Sequence, residues 1–296
     1  MSLLTYIRLR IGALLLRTFF RLKGRFISHP DAIEHIPSRD PNRTIKIHVY
    51  GPSWDLEKLD EPVPVLVNFH GSGFVIPAHG SDDAFCREVC DRTGYVVLDV
   101  QYRLSPEYPF PAAIHDVEDV VKWVLGQPDV FDLNRFSLSG FSAGGNLALV
   151  ACSSLFPLNT FQSVLTFYPS TEPCGDPALM VAPERGGMPI PMVTLRFFGK
   201  CYLRYGADLR DPRISPSLAD ITRFPGKVLV ITASYDNLAN EAERLAKRLE
   251  KDPKRTVVYE QMPKCNHGWD KKAKRGTPQW VSKCRAYDLA VDMLLS

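Results

Sequence analysis

Apolar, β-branched runs alternate with helix-patterned stretches along most of this 296-residue chain, and no other feature restricts its fold as tightly. "VPVLVNFH" (63–70) and "YVVLDVQYR" (95–103) suit central strands buried on both sides of a parallel sheet. "TIKIHVY" (44–50) alternates, as a half-exposed early strand does. Further runs follow at "RFSLSGFS" (135–142), "FQSVLTFYP" (161–169), "KVLVITASYD" (227–236) and "TVVYEQM" (256–262). Helical patterns lie between them. Pro111 opens one, with Ala113, Val117, Val120, Val121 and Val124 on one face, and "GGNLALVACSSL" (144–155) is a second. Leu238, Ala242, Leu245 and Leu249 share one side of a third, and the last begins near 278. This order predicts an α/β protein with a mainly parallel sheet covered on both faces.

The rhythm stops between 171 and 209, where prolines, glycines and aromatics crowd together and end in "LRFFGKCYLRYG". That stretch reads as an inserted, partly helical segment, placed where a lid over an active site would sit. The N-terminus is unusual in another way. Residues 1–25 hold six Lys or Arg and no acid, and their longest apolar run, Ile11 to Leu16, is too short to span a bilayer. On a helix, Arg10, Arg17 and Arg21 fall on one stripe, with Leu4, Ile7, Ile11, Leu14 and Leu15 beside or opposite it. Two readings stand: an amphipathic helix in peripheral contact with an anionic membrane, or a helix packed over the body with its arginines in water. The second is the expectation adopted.

Composition narrows the classes. Hydrophobic residues at 45% and charged residues at 23% are a soluble globular balance, and a net charge of +3 is too small to point to nucleic acid. Seven cysteines scattered from Cys86 to Cys284 show no zinc-like spacing. They read as mostly buried free thiols, which favours a reducing, cytoplasmic setting.

Chemistry enters at Gly140-Phe141-Ser142-Ala143-Gly144, a G-x-S-x-G match in which a strand turns abruptly into a helix and exposes the serine. A neutral serine hydroxyl attacks poorly without a general base. In this class of fold the partners follow in the order serine, acid, histidine, and only His267 of the seven histidines lies after Ser142. Asp236 ends a strongly strand-like run, at the carboxyl edge where functional residues of α/β sheets collect. Asp208, Asp211 and Asp220 lie in loops around the insertion. Asp236 is therefore the expected orienter of His267. "FHGSGF" (69–74) resembles the HGGG-type loop of esterases, with glycines at 71 and 73 to turn amides inward, and the Ala143 N–H would complete an oxyanion hole. His70 reads as a structural brace for that loop.

With those blocks in order, the chain resembles the hormone-sensitive lipase family of α/β-hydrolases. "HGSGF" (70–74), "YRLSPEYPFPAAIHDV" (102–117), "GFSAGGNLAL" (140–149) and "DPRISP" (211–216) precede the "SYD" and "NHGW" segments. The resemblance implies an α/β-hydrolase fold with a mostly parallel eight-stranded sheet. It also implies a cap from residues 1–42 and 171–209, over core segments 43–170 and 210–296. It assigns Ser142, Asp236 and His267 as the triad, and Ser72, Gly73 and Ala143 as oxyanion donors, with no metal or organic cofactor. Three positions depart from the family pattern: Ser72 replaces a glycine, Phe141 an acidic residue or threonine, and Gln101 an aspartate.

The implied activity is hydrolysis of small carboxylic esters through an acyl-enzyme. Lactone or other secondary-metabolite ester hydrolysis is a variant, and a ligand-binding receptor, which the family also contains, is the alternative. In that alternative the histidine is lost; here it is intact. Met188, Ile190, Met192, Phe197, Phe198, Tyr202 and Tyr205 of the insertion are expected to line a closed apolar pocket suited to short- and medium-chain esters.

Overall fold

In a computed structural model, residues 2–22, 24, 26–51, 61–173, 175, 176, 178–203 and 206–296 are described. Tyr205 and Cys174 lie outside the described residues. The chain opens with helix α1 (Leu3–Leu22), then strands β1 (Ala32–Pro37), β2 (Thr44–Tyr50) and β3 (Val63–Phe69). Helix α2 (Asp83–Thr93), β4 (Val96–Val100), α3 (Ala112–Leu125), β5 (Phe131–Phe141), α4 (Ala143–Val150) and β6 (Ser163–Phe167) follow. After the insertion, which holds α5 (Met192–Tyr202), come β7 (Lys227–Ala233), α6 (Ala239–Leu249), β8 (Thr256–Met262) and α7 (Pro278–Leu295).

The eight strands form one sheet in the order β1-β2-β4-β3-β5-β6-β7-β8. From β4 to β8 every pairing is parallel, while β1 and β2 are antiparallel to their neighbours. The apolar runs occupy its centre: β4 and β6 are buried along their whole length. Helices sit on both faces. Val117, Val120, Val121 and Val124 of α3 join one core cluster, Phe85 of α2 and Tyr287 of α7 a second, and Leu9 and Ala13 of α1 a small third.

Two elements were not read from the sequence. Strand β1, "AIEHIP", buries only Ile36, because an edge strand with one neighbour carries little apolar pattern. Helix α2 follows the loop after β3 and was hidden by its polar outer face. Several strands are shorter than their apolar runs; the residues past β5 and β7 leave the sheet to form the loops described next.

Helix α1 packs on the body, as expected, but with its faces rotated. Leu9 and Ala13 are buried, and Arg17 points inward rather than into water. Its Nε donates to the Val75 carbonyl at 2.9 Å, and one terminal nitrogen donates to the Ser105 carbonyl at 2.8 Å. The guanidinium also pairs with both oxygens of Glu107, at 3.0 and 2.8 Å. Five Arg donors in a fixed fork need acceptors when desolvated, and this corner of the body supplies them. Leu4, Leu14 and Leu15 are exposed. Among the described cysteines, Cys86, Cys90, Cys152, Cys201 and Cys265 are buried free thiols and Cys284 is half-buried.

Candidate active site

β5 ends at Phe141 and α4 starts at Ala143, leaving Ser142 alone on the turn at φ 53° and ψ −117°. A non-glycine residue held at positive φ is strained, and surrounding structure must hold it there. The motif's glycines make that possible. A Cβ on Gly144 would lie 1.8 Å from the Phe69 carbonyl oxygen, so α4 can cross this close to β3 only without a side chain. Asn146, one turn further, donates to the Ser170 and Ile214 carbonyls at 2.9 and 3.0 Å. It thereby ties the elbow helix to both ends of the insertion.

The three residues predicted from distant parts of the chain meet here. His267 Nε2 is 2.8 Å from Ser142 Oγ, and His267 Nδ1 is 2.7 Å from Asp236 Oδ2. Asp236 is fully buried, and its other oxygen accepts the Leu238 N–H at 3.0 Å. Its carboxylate therefore has a fixed orientation toward the imidazole. Asp211 instead pairs with Arg213, and Asp220 caps a short turn by accepting the Thr222 N–H.

Ser72, Gly73 and Ala143 line the same pocket as Ser142, and among the described residues none of their amides has a protein acceptor. Unengaged backbone amides of this kind are the groups that can receive a developing anion. Gly73 has φ 55°, the left-handed region, whereas Ser72 does not, so a serine is tolerated at its position. The Ser72 hydroxyl is itself used. It donates to Tyr102 Oη at 2.7 Å and accepts the Phe74 N–H at 2.8 Å, while Tyr102 Oη donates to the His70 carbonyl at 2.6 Å. His70 stacks on Tyr102, and burial pushes its imidazole down to about 4, which keeps it neutral and suits the bracing role.

Sequence reasoning missed a buried charge network behind the histidine. Tyr168, at φ 39°, lays its ring edge-on to His267 with centroids 4.7 Å apart, and its hydroxyl donates to Asp270 at 2.6 Å. Tyr287 donates to the other Asp270 oxygen at 2.9 Å. Lys271 lies 2.8 Å from both Asp270 and Asp82. Burial works to raise the Asp270 carboxyl, and Lys271 with the two phenols outweighs it, holding the group below its ordinary range. Lys271 Nζ also sits 3.4 Å over the Phe141 ring, so the aromatic departure beside the nucleophile is matched by a cation. The signal lay in "HGWDK", where two charges follow an apolar turn. Gln101, the remaining departure, is exposed.

The pocket over Ser142 has a volume of about 440 Å³ and is mostly apolar. Ile190, Phe198 and Tyr202 of the insertion line it, as predicted, together with Leu195, which was not singled out. Met188, which precedes α5, is 79% exposed, and Met192 and Phe197 also stay out of the lining, because α5 turns only one face to the cavity and Phe197 packs against α1. The opposite wall comes from Leu16, Phe19, Phe20 and Phe26. One group of three potential metal-ligand side chains occurs among the described residues, His48, His79 and Asp99, with ligand atoms within 4.8 Å of one another. Asp99 is already committed to Asn68 and to the Gly80 N–H.

Comparison with known proteins agrees with this fold. A family model described as alpha/beta hydrolase fold matches residues 66–271. The ethyl acetate hydrolase of Pseudomonas putida is 29% identical over 75% of this chain and 70% of its own length. The carboxylic ester hydrolase LipN of Mycobacterium tuberculosis is 32% identical over 63% of this chain, which spans about half (52%) of that relative. A solved esterase of Pyrobaculum calidifontis superposes with a TM-score of 0.76 at 27% identity, covering 100% of this chain and 93% of its own. The chain belongs to the α/β-hydrolase fold family, on its hormone-sensitive lipase and carboxylesterase-like branch.

Proposed function

We propose that this protein is a serine esterase acting on short- to medium-chain carboxylic esters. The observation that carries the reading is the Asp236–His267–Ser142 relay, opening on an apolar pocket beside three unengaged amides. Ser142 Oγ attacks the ester carbonyl as His267 Nε2 takes its proton, and Asp236 holds the imidazole in the tautomer that accepts it. The amides of Ser72, Gly73 and Ala143 receive the oxyanion. His267 then protonates the leaving alcohol, and water repeats the sequence to release the acid. The relay itself requires no metal or organic cofactor. Residues 1–42 and 171–209 act as the cap over the core segments 43–170 and 210–296.

The names of the relatives support ester rather than peptide substrates. Each acyl CH₂ buried in the pocket adds about 0.8 kcal/mol of binding until the cavity is full. Retention of His267 in hydrogen-bonding contact with Ser142 speaks against a receptor without turnover. A fluorophosphonate probe should label wild type on Ser142 and spare Ser142→Ala, and nitrophenyl esters should show kcat/KM rising and then falling with acyl length. No labelling in wild type would defeat the serine mechanism. A kcat/KM still climbing past about twelve carbons would defeat the chain-length assignment.

A further inference from the structure

Among the described residues nothing covers the outer face of α1. Leu4, Ile7, Ile11, Leu14, Leu15 and Leu22 are between 44% and 83% exposed, on a helix that buries only Leu9 and Ala13. At 100° per residue these six side chains fall on one arc, opposite the packed face. Arg8 borders the arc on one side and Arg21 on the other, both exposed, while Arg10, beside Arg21, pairs with Glu107 at 3.1 Å. The first acid in the sequence is Asp31. Exposed apolar side chains grouped on one helix face are the kind of surface that meets a partner or a membrane.

We infer that α1 rests in the plane of an anionic lipid surface, its leucine face in the acyl boundary and Arg8 and Arg21 among the headgroups. The charge pattern selects this occupant. A second copy pairing through the same face would bring arginines against the partner's arginines with no acid of that helix between them. Anionic headgroups satisfy both borders, as they do for interfacial amphipathic helices. No described helix is long and apolar enough to cross a membrane, which agrees with a helix lying flat.

The site gives this placement a consequence. Leu16 and Phe20, on the opposite side of α1, line the catalytic pocket. A groove between α1 and α5, formed by Gly12, Leu16, Val193, Thr194 and Phe197, shares Leu16 and Thr194 with that pocket. Val193, 75% exposed, carries the apolar surface onto α5. An ester dissolved in the lipid would reach the pocket along this groove without crossing water. The inference thus rests on the esterase reading for its purpose, but not for its test.

The test is sedimentation of the full chain with vesicles of phosphatidylcholine alone or mixed with phosphatidylserine. Wild type should pellet with the mixed vesicles, and less so as salt is raised. Arg8→Gln and Arg21→Gln should each weaken binding about fivefold. Ile11→Glu with Leu15→Glu should abolish it while leaving turnover of nitrophenyl butyrate at the wild-type value. If that pair fails to fold, the arginine variants carry the test. Absence of pelleting, or binding unchanged in these variants, overturns the inference. So does a concentration-dependent dimer, seen by light scattering, that the glutamates dissolve without any vesicle binding. Vesicle binding by a protein that turns over no ester would leave this inference standing and sink the esterase reading instead.

Discussion

Glu241→Gln should make the protein more stable, by an amount that depends on pH. Glu241 lies in the first turn of α6 and is 4% exposed. Its Oε1 accepts the N–H groups of Thr171 and Glu172, at 2.7 and 3.2 Å, where the insertion leaves the sheet. Burial pushes its carboxyl up to about 8, against an ordinary value of 4.5; the two backbone donors oppose this, and Glu172 and Asp236 add to it. A carboxyl raised in the folded state stabilises fully below its unfolded value, and that contribution is lost as pH climbs to the folded value. At about 1.4 kcal/mol per unit, the loss amounts to a few kcal/mol by pH 7 and grows further until the pH passes the folded value. Glutamine keeps the Oε1 acceptor and the volume but cannot ionise. Urea unfolding of both proteins at pH 5, 6, 7 and 8 should therefore show a stability gap that widens steadily with pH. A gap that stays constant, or a glutamine variant that is the weaker at pH 8, would refute the reasoning. Retained turnover by the variant would show that the neighbouring Asp236 still orients His267.

Two further outcomes address the site itself. Asp236→Asn should lower kcat by about 10⁴-fold with an unchanged unfolding midpoint, because the imidazole would take the wrong tautomer; an equal loss in Asp211→Asn and none at Asp236 would reassign the acid. Gly73→Ala adds a Cβ 2.5 Å from the Phe198 ring at φ 55°, so the loop must shift and carry its amide away from the oxyanion. Its kcat should fall about 100-fold with little change in KM, and an unaltered kcat would remove Gly73 from the donors.

What the sequence made legible is local in the chain. The central strands show as β-branched runs because burial on both faces leaves no polar position, and β1 escapes because an edge strand carries no such run. The elbow shows because two glycines and a serine sit within five residues. Chain order alone then picked His267, and the end of a strand picked Asp236. The Tyr-Arg-Leu-x-Pro-Glu block was recognisable as a pattern, yet its purpose was not, since its polar side chains act on other segments. Tyr102 braces the oxyanion loop through Ser72, Arg103 binds Asp116 and Asp40, and Glu107 holds α1 through Arg17.

The orientation of α1 follows from the same contact, and this is why periodicity misjudged it. A helical wheel separates two faces but does not say which one meets the body. Hydrophobic burial alone would have turned Leu4, Ile11 and Leu15 inward. The body instead offers a carboxylate and two carbonyls at the one spot where Arg17 docks, 58 to 90 positions away in sequence. In this rotation of α1, Arg17 satisfies two body carbonyls and both oxygens of the half-buried Glu107 at once. Burial works to raise the Glu107 carboxyl, and Arg17 with Arg10 brings it below its ordinary value, so the pair is engaged throughout the neutral range. The charge contact therefore sets the rotation of the helix, and the apolar strip it leaves in the open is the surface available to a lipid.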